Sequence, residues 1–347
     1  VKKLKIVKTR RLLMKKLKSI KVASICLIAI FIASCASTPK PSDSQAAHDD
    51  NLVSQGGSVQ DAKVIREPKP ISVQNTSNQL EKNFKDKLND LEIKITTSPK
   101  TTVVGKAFSS PYTVQVKDSA GPVSGFDLTV NWPAGSANGT ITYSTAQLKT
   151  DDEGKAVFTP SAPKFAVKDS VTFYPTPVSS SPAIVQAAYE RAVTAPYAVK
   201  SSYIGYPGGV LFTYDFNEKG NPTTNNFTLL QTLRNLGVNV GNSPVSDTSY
   251  FNKPVSELYK ATYDITGAAY KFMVSGTFKY ASPAVETEDG VTVTLTADIT
   301  CVDMKNGNVL YKTVFSETTT DKTKWNAEQK CRKILAEKAA DAIIYGM

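Results

Sequence analysis

Hydrophobic and polar positions divide the chain into segments with different periodicities. An unbroken apolar run covers residues 22–34, and the following residues to 77 are rich in Ser, Pro, Gln, Asn and Asp without periodicity. As a helix, residues 22–34 would span only about 20 Å at ~1.5 Å per residue, too short for a hydrocarbon core of ~30 Å. We therefore predict that residues 1–34 are a signal peptide and that residues 35–77 are a flexible tether.

The next two segments have clear periodicities. Within residues 78–90 and at their end, Leu80, Phe84, Leu88 and Leu91 recur at helical spacing, which predicts a short amphipathic helix. This helix could be an oligomerisation seam or a lead-in helix that packs on the next domain.

Residues 91–176 then alternate between apolar and polar positions, which is typical of strands. The alternating apolar positions are Ile93 and Ile95; Tyr112, Val114 and Val116; Phe126, Leu128, Val130 and Trp132; Ile141 and Tyr143; Ala156 and Phe158; Val171 and Phe173. Because Gly, Pro and Asn separate these runs, an antiparallel sandwich is expected.

Two turns in this segment carry a family resemblance. The Asp-x-x-Gly turn of residues 118–121 and the Asp-Glu-Gly turn of residues 152–154 each adjoin alternating strands. This arrangement resembles the bacterial Ig-like domains of invasin and intimin type, which implies an all-β Ig-like sandwich over residues 91–176. A fibronectin-like sandwich would satisfy much of the same pattern.

The carboxyl-terminal part has a mixed pattern. Residues 177–202 are rich in Pro, Ser and Ala and are predicted to be a linker. Residues 203–347 follow the order β-α-β-α-β-β-β-α, with strands over 209–216, 238–241, 270–280, 291–303 and 309–317 and helices over 225–236, 254–269 and 324–345. Asp-Gly at 289–290 and Asn-Gly at 306–307 favour tight hairpins. We therefore predict an α/β domain, a mostly antiparallel meander covered by helices.

A second resemblance concerns this α/β domain. Residues 274–278 lead into a long hairpin of residues 298–303 and 307–312, and an Ala-rich helix closes the chain. This order resembles the periplasmic α/β domains of the curli-secretion lipoprotein, of the lipoprotein activators of penicillin-binding proteins and of the amino-terminal part of TolB. The resemblance implies a domain that binds or assembles with partners in the cell envelope.

The net charge of +10 is confined to the targeting segment. Ten of the 41 Lys and Arg residues precede Val22, and the remaining 31 equal the number of Asp and Glu residues. The chain without this segment is formally neutral, so the basic balance gives no support for nucleic-acid binding.

The residues Ile32-Ala33-Ser34-Cys35 end the apolar run and resemble the lipobox of bacterial lipoproteins. The resemblance implies that Cys35 carries diacylglycerol and palmitate, while the alternatives are a cleaved secretory signal or a buried cysteine. Met14 begins a compact signal and is a candidate initiator. Ala36 in place of Asp implies the outer membrane by the enteric sorting rule.

Cys301 and Cys331 are the other cysteines of the exported chain. Cys301 lies on the apolar face of its predicted strand, and Cys331 lies on the apolar side of the last predicted helix. Both side chains are therefore expected to point into the same core. A disulfide between them would contribute roughly 3 kcal/mol by loop-closure entropy, and two buried free thiols are the alternative.

Candidate reaction chemistry is sparse in the sequence. The single histidine, His48, lies in the tether, which argues against Ser-His, Cys-His and His-based metal sites. Ser161 and Lys164 have the spacing of a Ser-x-x-Lys nucleophile, but they lie in an all-β segment without its companion strings. No catalytic residue, metal site or cofactor is predicted, and a run of six aromatic residues between 197 and 216 is expected in the core.

The sequence thus predicts a non-enzymatic, lipid-anchored envelope protein that binds or scaffolds a protein or envelope partner. The alternatives are a surface-exposed adhesin and an oligomeric subunit of a secretion or cell-wall assembly apparatus. The expected partners are the membrane, through the lipid, and an unidentified envelope component, with homo-oligomers allowed and no nucleic acid.

Overall fold

The structure, a computed structural model, describes residues 73–137 and 140–347. The described helices are α1 (Val73–Asn89), α2 (Pro182–Glu190), α3 (Phe227–Asn235), α4 (Val255–Thr266) and α5 (Lys324–Gly346). The described strands are β1 (Glu92–Thr97), β2 (Thr102–Val103), β3 (Tyr112–Asp118), β4 (Gly121–Pro122), β5 (Asp127–Ala137), β6 (Thr140–Lys149), β7 (Lys155–Phe158), β8 (Val167–Pro175), β9 (Val193–Lys200), β10 (Gly209–Phe216), β11 (Pro222–Asn225), β12 (Val240–Asn242), β13 (Phe272–Tyr280), β14 (Val285–Thr287), β15 (Gly290–Asp303) and β16 (Val309–Asp321). The coarse prediction of a mostly β chain with several sheets and some helices is confirmed.

Two sheets share one core in the amino-terminal half of the described chain. In the first sheet β3 pairs antiparallel with β1, β4 and β7, and the second sheet has the order β2-β9-β8-β5-β6. Alternation decides which side chains enter the core, because successive residues of a strand point to opposite faces. Tyr112, Val114 and Val116 are fully buried between the sheets, as the period of two predicts.

Helix α1 packs on this core. Phe84 and Leu88 are buried among the side chains of both sheets, whereas Leu80 is 41% exposed. The helical spacing therefore marks a face that contacts the following domain, which is the lead-in arrangement.

The predicted linker over residues 177–202 is wrong in the structure, because these residues contain α2 and β9. Ile184 and Ala188 of α2 enter the amino-terminal core, and β9 pairs along β8 from Phe173↔Val193 to Val167↔Val199. The small and Pro-rich composition hid these elements: Pro182 occupies the first helical turn, where its missing N–H is tolerated.

The third sheet belongs to the carboxyl-terminal half. β10 pairs in parallel with β13 along one side. Along its other side, the first residues of β10 pair in parallel with β12 and the last residues pair antiparallel with β11. β13 pairs antiparallel with β15, and β15 with β16. Because β14 pairs with β15 beyond the end of β13, β16 forms one edge of the described sheet and β11 with β12 the other.

The sheet differs from the predicted order by the two short strands β11 and β14. Every residue of both strands is exposed, so neither has the apolar alternation that marks a strand in a sequence.

Helices cover both faces of the third sheet. α3 and α5 enclose the larger core, which contains Phe272, Phe278 and Leu335, while α4 covers a smaller core around Phe212 and Met273 on the opposite face. The carboxyl end of α5 also contacts the amino-terminal half: the Ser201 N–H donates to the Ile344 carbonyl at 2.8 Å. Lys168 forms an ion pair with Asp341 at 2.6 Å.

Candidate functional site

The guanidinium of Arg332 is the centre of a polar network in the carboxyl-terminal half. Arg332 lies two turns into α5, and its side chain is only 6% exposed. Its Nε and Nη2 atoms donate to Glu328 Oε1 at 2.9 and 2.7 Å, Nη2 also donates to the Phe216 carbonyl at 3.3 Å, and Nη1 donates to Asp215 Oδ1. A buried charge needs such partners, since transfer out of water without them costs several kcal/mol.

Asp215 connects this network to β10 and α3. Asn226 Nδ2 donates to Asp215 Oδ1 at 2.6 Å, while Asn226 Oδ1 accepts from the Leu229 N–H at 2.7 Å and so caps α3. Burial raises the pKa of the Asp215 carboxyl above its ordinary value, and the Arg332 charge and the Asn226 hydrogen bond oppose that rise. Arg332 thus favours the ionised form of Asp215, and burial favours the protonated form.

Glu328 extends the network to β13. It stands one turn before Arg332 on α5, where side chains four residues apart meet, and the Tyr280 hydroxyl donates to its Oε2 at 2.7 Å. Burial, followed by this hydrogen bond, raises the pKa of the Tyr280 hydroxyl. The network therefore joins β10, β13, α3 and α5.

A cleft of about 320 Å³ opens beside this network, between β11, the start of α3 and α5. Its lining residues are Asp215, Thr223, Thr224, Asn225, Phe227, Thr228, Glu328, Gln329 and Arg332. The Phe227 side chain is 65% exposed although it is large and apolar. The cleft offers hydrogen-bonding groups, one aromatic ring and a paired set of charges, which are the components of a binding site.

Within residues 73–137 and 140–347, no three His, Cys, Asp or Glu side chains group in a way that could hold a metal ion. No helix in these two ranges is long and apolar enough to cross a membrane.

Several predicted site residues lie outside the described residues. These are the lipobox residues Ile32, Ala33 and Ser34 and the predicted lipid-bearing Cys35, together with His48, the predicted signal peptide 1–34 and residues 35–72 of the predicted tether 35–77. Their roles stay predictions. The last part of that tether, residues 73–77, belongs to α1 instead.

Cys301 and Cys331 are described, and both are free thiols. They lie in the same core, as the parity of the sequence predicted, and the structure has the second of the two arrangements that the sequence left open, buried free thiols in place of a disulfide. Cys301 is fully buried on β15, and the Cys331 thiol instead donates to the Glu317 carbonyl at 3.2 Å. Burial raises the pKa of the Cys301 thiol to about 12 and raises that of Cys331 as well.

The aromatic run between residues 197 and 216 is divided between core and surface. Tyr197, Phe212, Tyr214 and Phe216 are buried, as expected, whereas Tyr206 is 87% exposed. The run is therefore not a continuous recognition surface.

Local sequence patterns give little sign of the cleft residues. Arg332 and Glu328 have an i, i+4 spacing that predicts an ion pair, and this was the one available local signal. Asp215 lies 117 residues from Arg332 in the chain, so only the fold reveals that they meet.

Comparison with known proteins locates a similarity in this same half of the chain. Residues 208–344 match the family model of the TP0693-like lipoprotein C-terminal domain. No curated protein sequence matches the chain.

Solved structures resemble part of the chain at low identity. Lipoprotein GNA1162 from Neisseria meningitidis is 16% identical, with a TM-score of 0.25 over 38% of this chain and 99% of that one. The PelC dodecamer from Paraburkholderia phytofirmans is 16% identical, with a TM-score of 0.25 over 38% and 83%. A putative lipoprotein from Caulobacter crescentus CB15 is 15% identical, with a TM-score of 0.20 over 38% and 83%. Residues 208–344, which contain the cleft, are thus similar to the C-terminal domain of TP0693-like lipoproteins.

Proposed function

We propose that the chain is a non-enzymatic, lipid-anchored protein of the cell envelope that binds an envelope partner through its α/β half. The observation that carries the proposal is that two separate parts of the chain both indicate a lipoprotein. The residues 32–35 have the lipobox pattern, and residues 208–344 match a lipoprotein domain family. An outer-membrane location follows only from Ala36 and belongs to the same proposal.

We also propose that residues 91–176 are an Ig-like module that holds the α/β half away from the lipid. The two turns behind that resemblance support this interpretation. Asp118 Oδ1 accepts from the Ala120 and Gly121 N–H groups at 2.8 and 3.0 Å, and Asp151 Oδ1 accepts from the Glu153 and Lys155 N–H groups at 3.0 and 2.8 Å. Such Asx hydrogen bonds fix the tight turns that connect sandwich strands.

Binding is favoured over catalysis by the state of the charged groups. The carboxylates of Asp215 and Glu328 are shared with Arg332 and hydrogen-bonded by Asn226 and Tyr280. A general acid or base needs a carboxyl that is free to exchange a proton with a substrate, so this network suits a rigid wall of a binding cleft.

An oligomeric subunit is the second candidate, and the edge strand β16 favours it. In the described part of the chain β16 pairs only with β15, and Val309 and Val314 on it are 52% and 59% exposed. A long open edge with apolar side chains can pair with another chain.

Photo-crosslinking in cells tests the proposed binding. The full-length chain would carry a photoreactive amino acid at Gln329 in the cleft, at Val314 on β16, or at Ile265 on α4 as an exposed control. We expect adducts to an envelope component from Gln329 and none from Ile265, while adducts between two copies from Val314 would favour the oligomer. A chain that gives no adduct at any position and is recovered in the soluble fraction would contradict the proposal.

A further inference from the structure

The cleft beside Arg332 combines an exposed aromatic ring with uncharged hydrogen-bonding groups. We infer that it binds a neutral oligosaccharide. This inference rests on the proposed function, because it names the chemical class of the envelope partner.

The charged groups of the cleft disfavour both anionic and cationic ligands. Arg332 is almost fully buried and directs its donors to Asp215, Glu328 and the Phe216 carbonyl. An anion would find no free positive group there and would meet one excess carboxylate charge, which repels it. A cation would compete with Arg332, Asn226 and Tyr280 for carboxylate oxygens that already accept hydrogen bonds. The ligand is therefore uncharged.

Free polar groups in the cleft match the hydroxyls of a sugar. The side chains of Thr224, Asn225, Thr228 and Gln329 line the cleft, and none of them forms a hydrogen bond to another residue of the described ranges. Their hydroxyl and amide groups both donate and accept. Sugar hydroxyls have the same dual capacity, so each can be satisfied in more than one orientation.

Aromatic rings supply the other half of sugar recognition. Phe227 lines the cleft and is 65% exposed, and Trp325 on α5 is 68% exposed. Trp325 precedes Glu328 by three residues and Gln329 by four, so helical spacing places it on the same side of α5 as these two cleft residues, one turn nearer the start of the helix. The face of an aromatic ring is electron-rich, and the C–H groups on one face of a pyranose ring carry partial positive charge. Stacking also removes apolar surface of both partners from water.

The dimensions of the cleft fit a segment of a glycan. Its volume of about 320 Å³ is near the lower limit of small-molecule pockets, which span about 300–1,000 Å³. Three of the four residues of β11, an exposed strand at the edge of the third sheet, line the cleft. A short stretch of a longer oligosaccharide can therefore occupy the cleft while the rest lies outside it.

Fluorescence of Trp325 provides the test. The chain contains two tryptophans, so Trp132→Phe in the full chain, purified in detergent, leaves Trp325 as the single reporter. The probes are triacetylchitotriose, cellotriose and maltotriose. We expect a saturable change in emission with at least one of them, and saturation-transfer NMR signals on the ring protons of the same sugar.

Two cleft variants and one control complete the design. Phe227→Ala and Gln329→Ala alter exposed side chains, and each is expected to weaken binding by about tenfold, equivalent to about 1.4 kcal/mol. Ile265→Ala, which shortens an exposed apolar side chain on α4, is expected to leave binding unchanged.

Three results would overturn the inference. The first is no saturable response to any of the three sugars up to millimolar concentration, and the second is binding that Phe227→Ala and Gln329→Ala leave intact. The third is a peptide that occupies the cleft and is not displaced by the sugars. Crosslinks from Gln329 to an envelope protein without sugar binding would overturn this inference alone and leave the proposed function standing. The absence of both crosslinks and sugar binding would overturn the two together.

Discussion

Replacing Arg332 by methionine tests the network that forms the wall of the cleft. Methionine keeps a long unbranched side chain, but it removes the positive charge and the five N–H donors of arginine. Asp215 and Glu328, whose side chains are 16% and 22% exposed, then lose the cation that they share.

The expected loss follows from burial. Removing one partner of a buried ion pair costs about 3–5 kcal/mol, whereas an exposed pair contributes about 0.2–1 kcal/mol. Because Arg332 is 6% exposed and Glu328 keeps some contact with water, we expect the free energy of unfolding to fall by about 3 kcal/mol. Asp215→Asn in the same chain should recover part of this loss, because the amide oxygen can still accept from Asn226 without a buried charge.

The loss should also depend on pH in a defined direction. The pKa of Asp215 is raised in the folded chain by burial, and Arg332 opposes the rise, so Arg332→Met raises this pKa further. A group with a raised folded pKa stabilises the fold while it is protonated, and that stabilisation is lost as the pH rises through the folded pKa. The deficit of Arg332→Met should therefore shrink as the pH falls from neutral towards 3.8, the ordinary aspartate value.

Urea unfolding followed by circular dichroism measures these differences. Lys338→Met is the matched control, since Lys338 lies on the same helix and pairs with Glu317 while its side chain is 42% exposed. It should cost less than about 1 kcal/mol. The reasoning is refuted if Arg332→Met costs no more than Lys338→Met, or if its deficit grows on acidification.

Three further predictions concern single positions. Gly154→Ala should destabilise the fold by at least about 1 kcal/mol, because φ is 71° and a Cβ would approach the Val116 carbonyl oxygen to 2.4 Å; Gly220→Ala, with φ 79° and open space, should cost less in the same urea assay. Cys301 and Cys331 should both be alkylated in unfolded, non-reduced protein and resist alkylation when native, since burial keeps the thiols protonated; an unalkylated chain whose mass is lower than that of the reduced chain by two hydrogen atoms would show a disulfide instead. Tyr112→Phe should cost about 1 kcal/mol by thermal unfolding, because the Tyr112 hydroxyl donates to the Pro196 carbonyl across the two sheets at 2.9 Å, and an unchanged melting temperature would contradict this contribution.

The sequence predicts elements well where one face of them is buried. Val114 and Leu128 lie at alternating positions and are fully buried, so periodicity alone identifies β3 and β5. β11 has no buried residue and therefore left no signal. The segment 177–202 was missed for a different reason: several of its core residues are small, such as Ala188 and Ala195, and a composition rich in Ala, Ser and Pro resembles that of a linker.

The candidate site shows what local patterns cannot supply. Strand alternation and helix periodicity correctly placed Cys301 and Cys331 in one core. These patterns give the face on which a residue lies but not the distance between two sulfur atoms, and both thiols are free in the structure. Arginine side chains are mostly exposed in folded proteins, and nothing local in the sequence marks Arg332 as an exception. Arg332 can be buried because its guanidinium donates hydrogen bonds to Asp215 and to the Phe216 carbonyl at the end of β10. These contacts depend on how α5 packs across the sheet.

Metabolic labelling with palmitate tests the central claim that the chain is a lipoprotein held by Cys35. Cells would express the full-length chain or its Cys35→Ser variant, with Cys26→Ser as a matched control in the signal segment, and would be separated into membrane and soluble fractions. We expect label and membrane association for the unaltered chain and for Cys26→Ser, and neither for Cys35→Ser. An unlabelled native chain, or a Cys35→Ser variant that still carries palmitate, would contradict the claim.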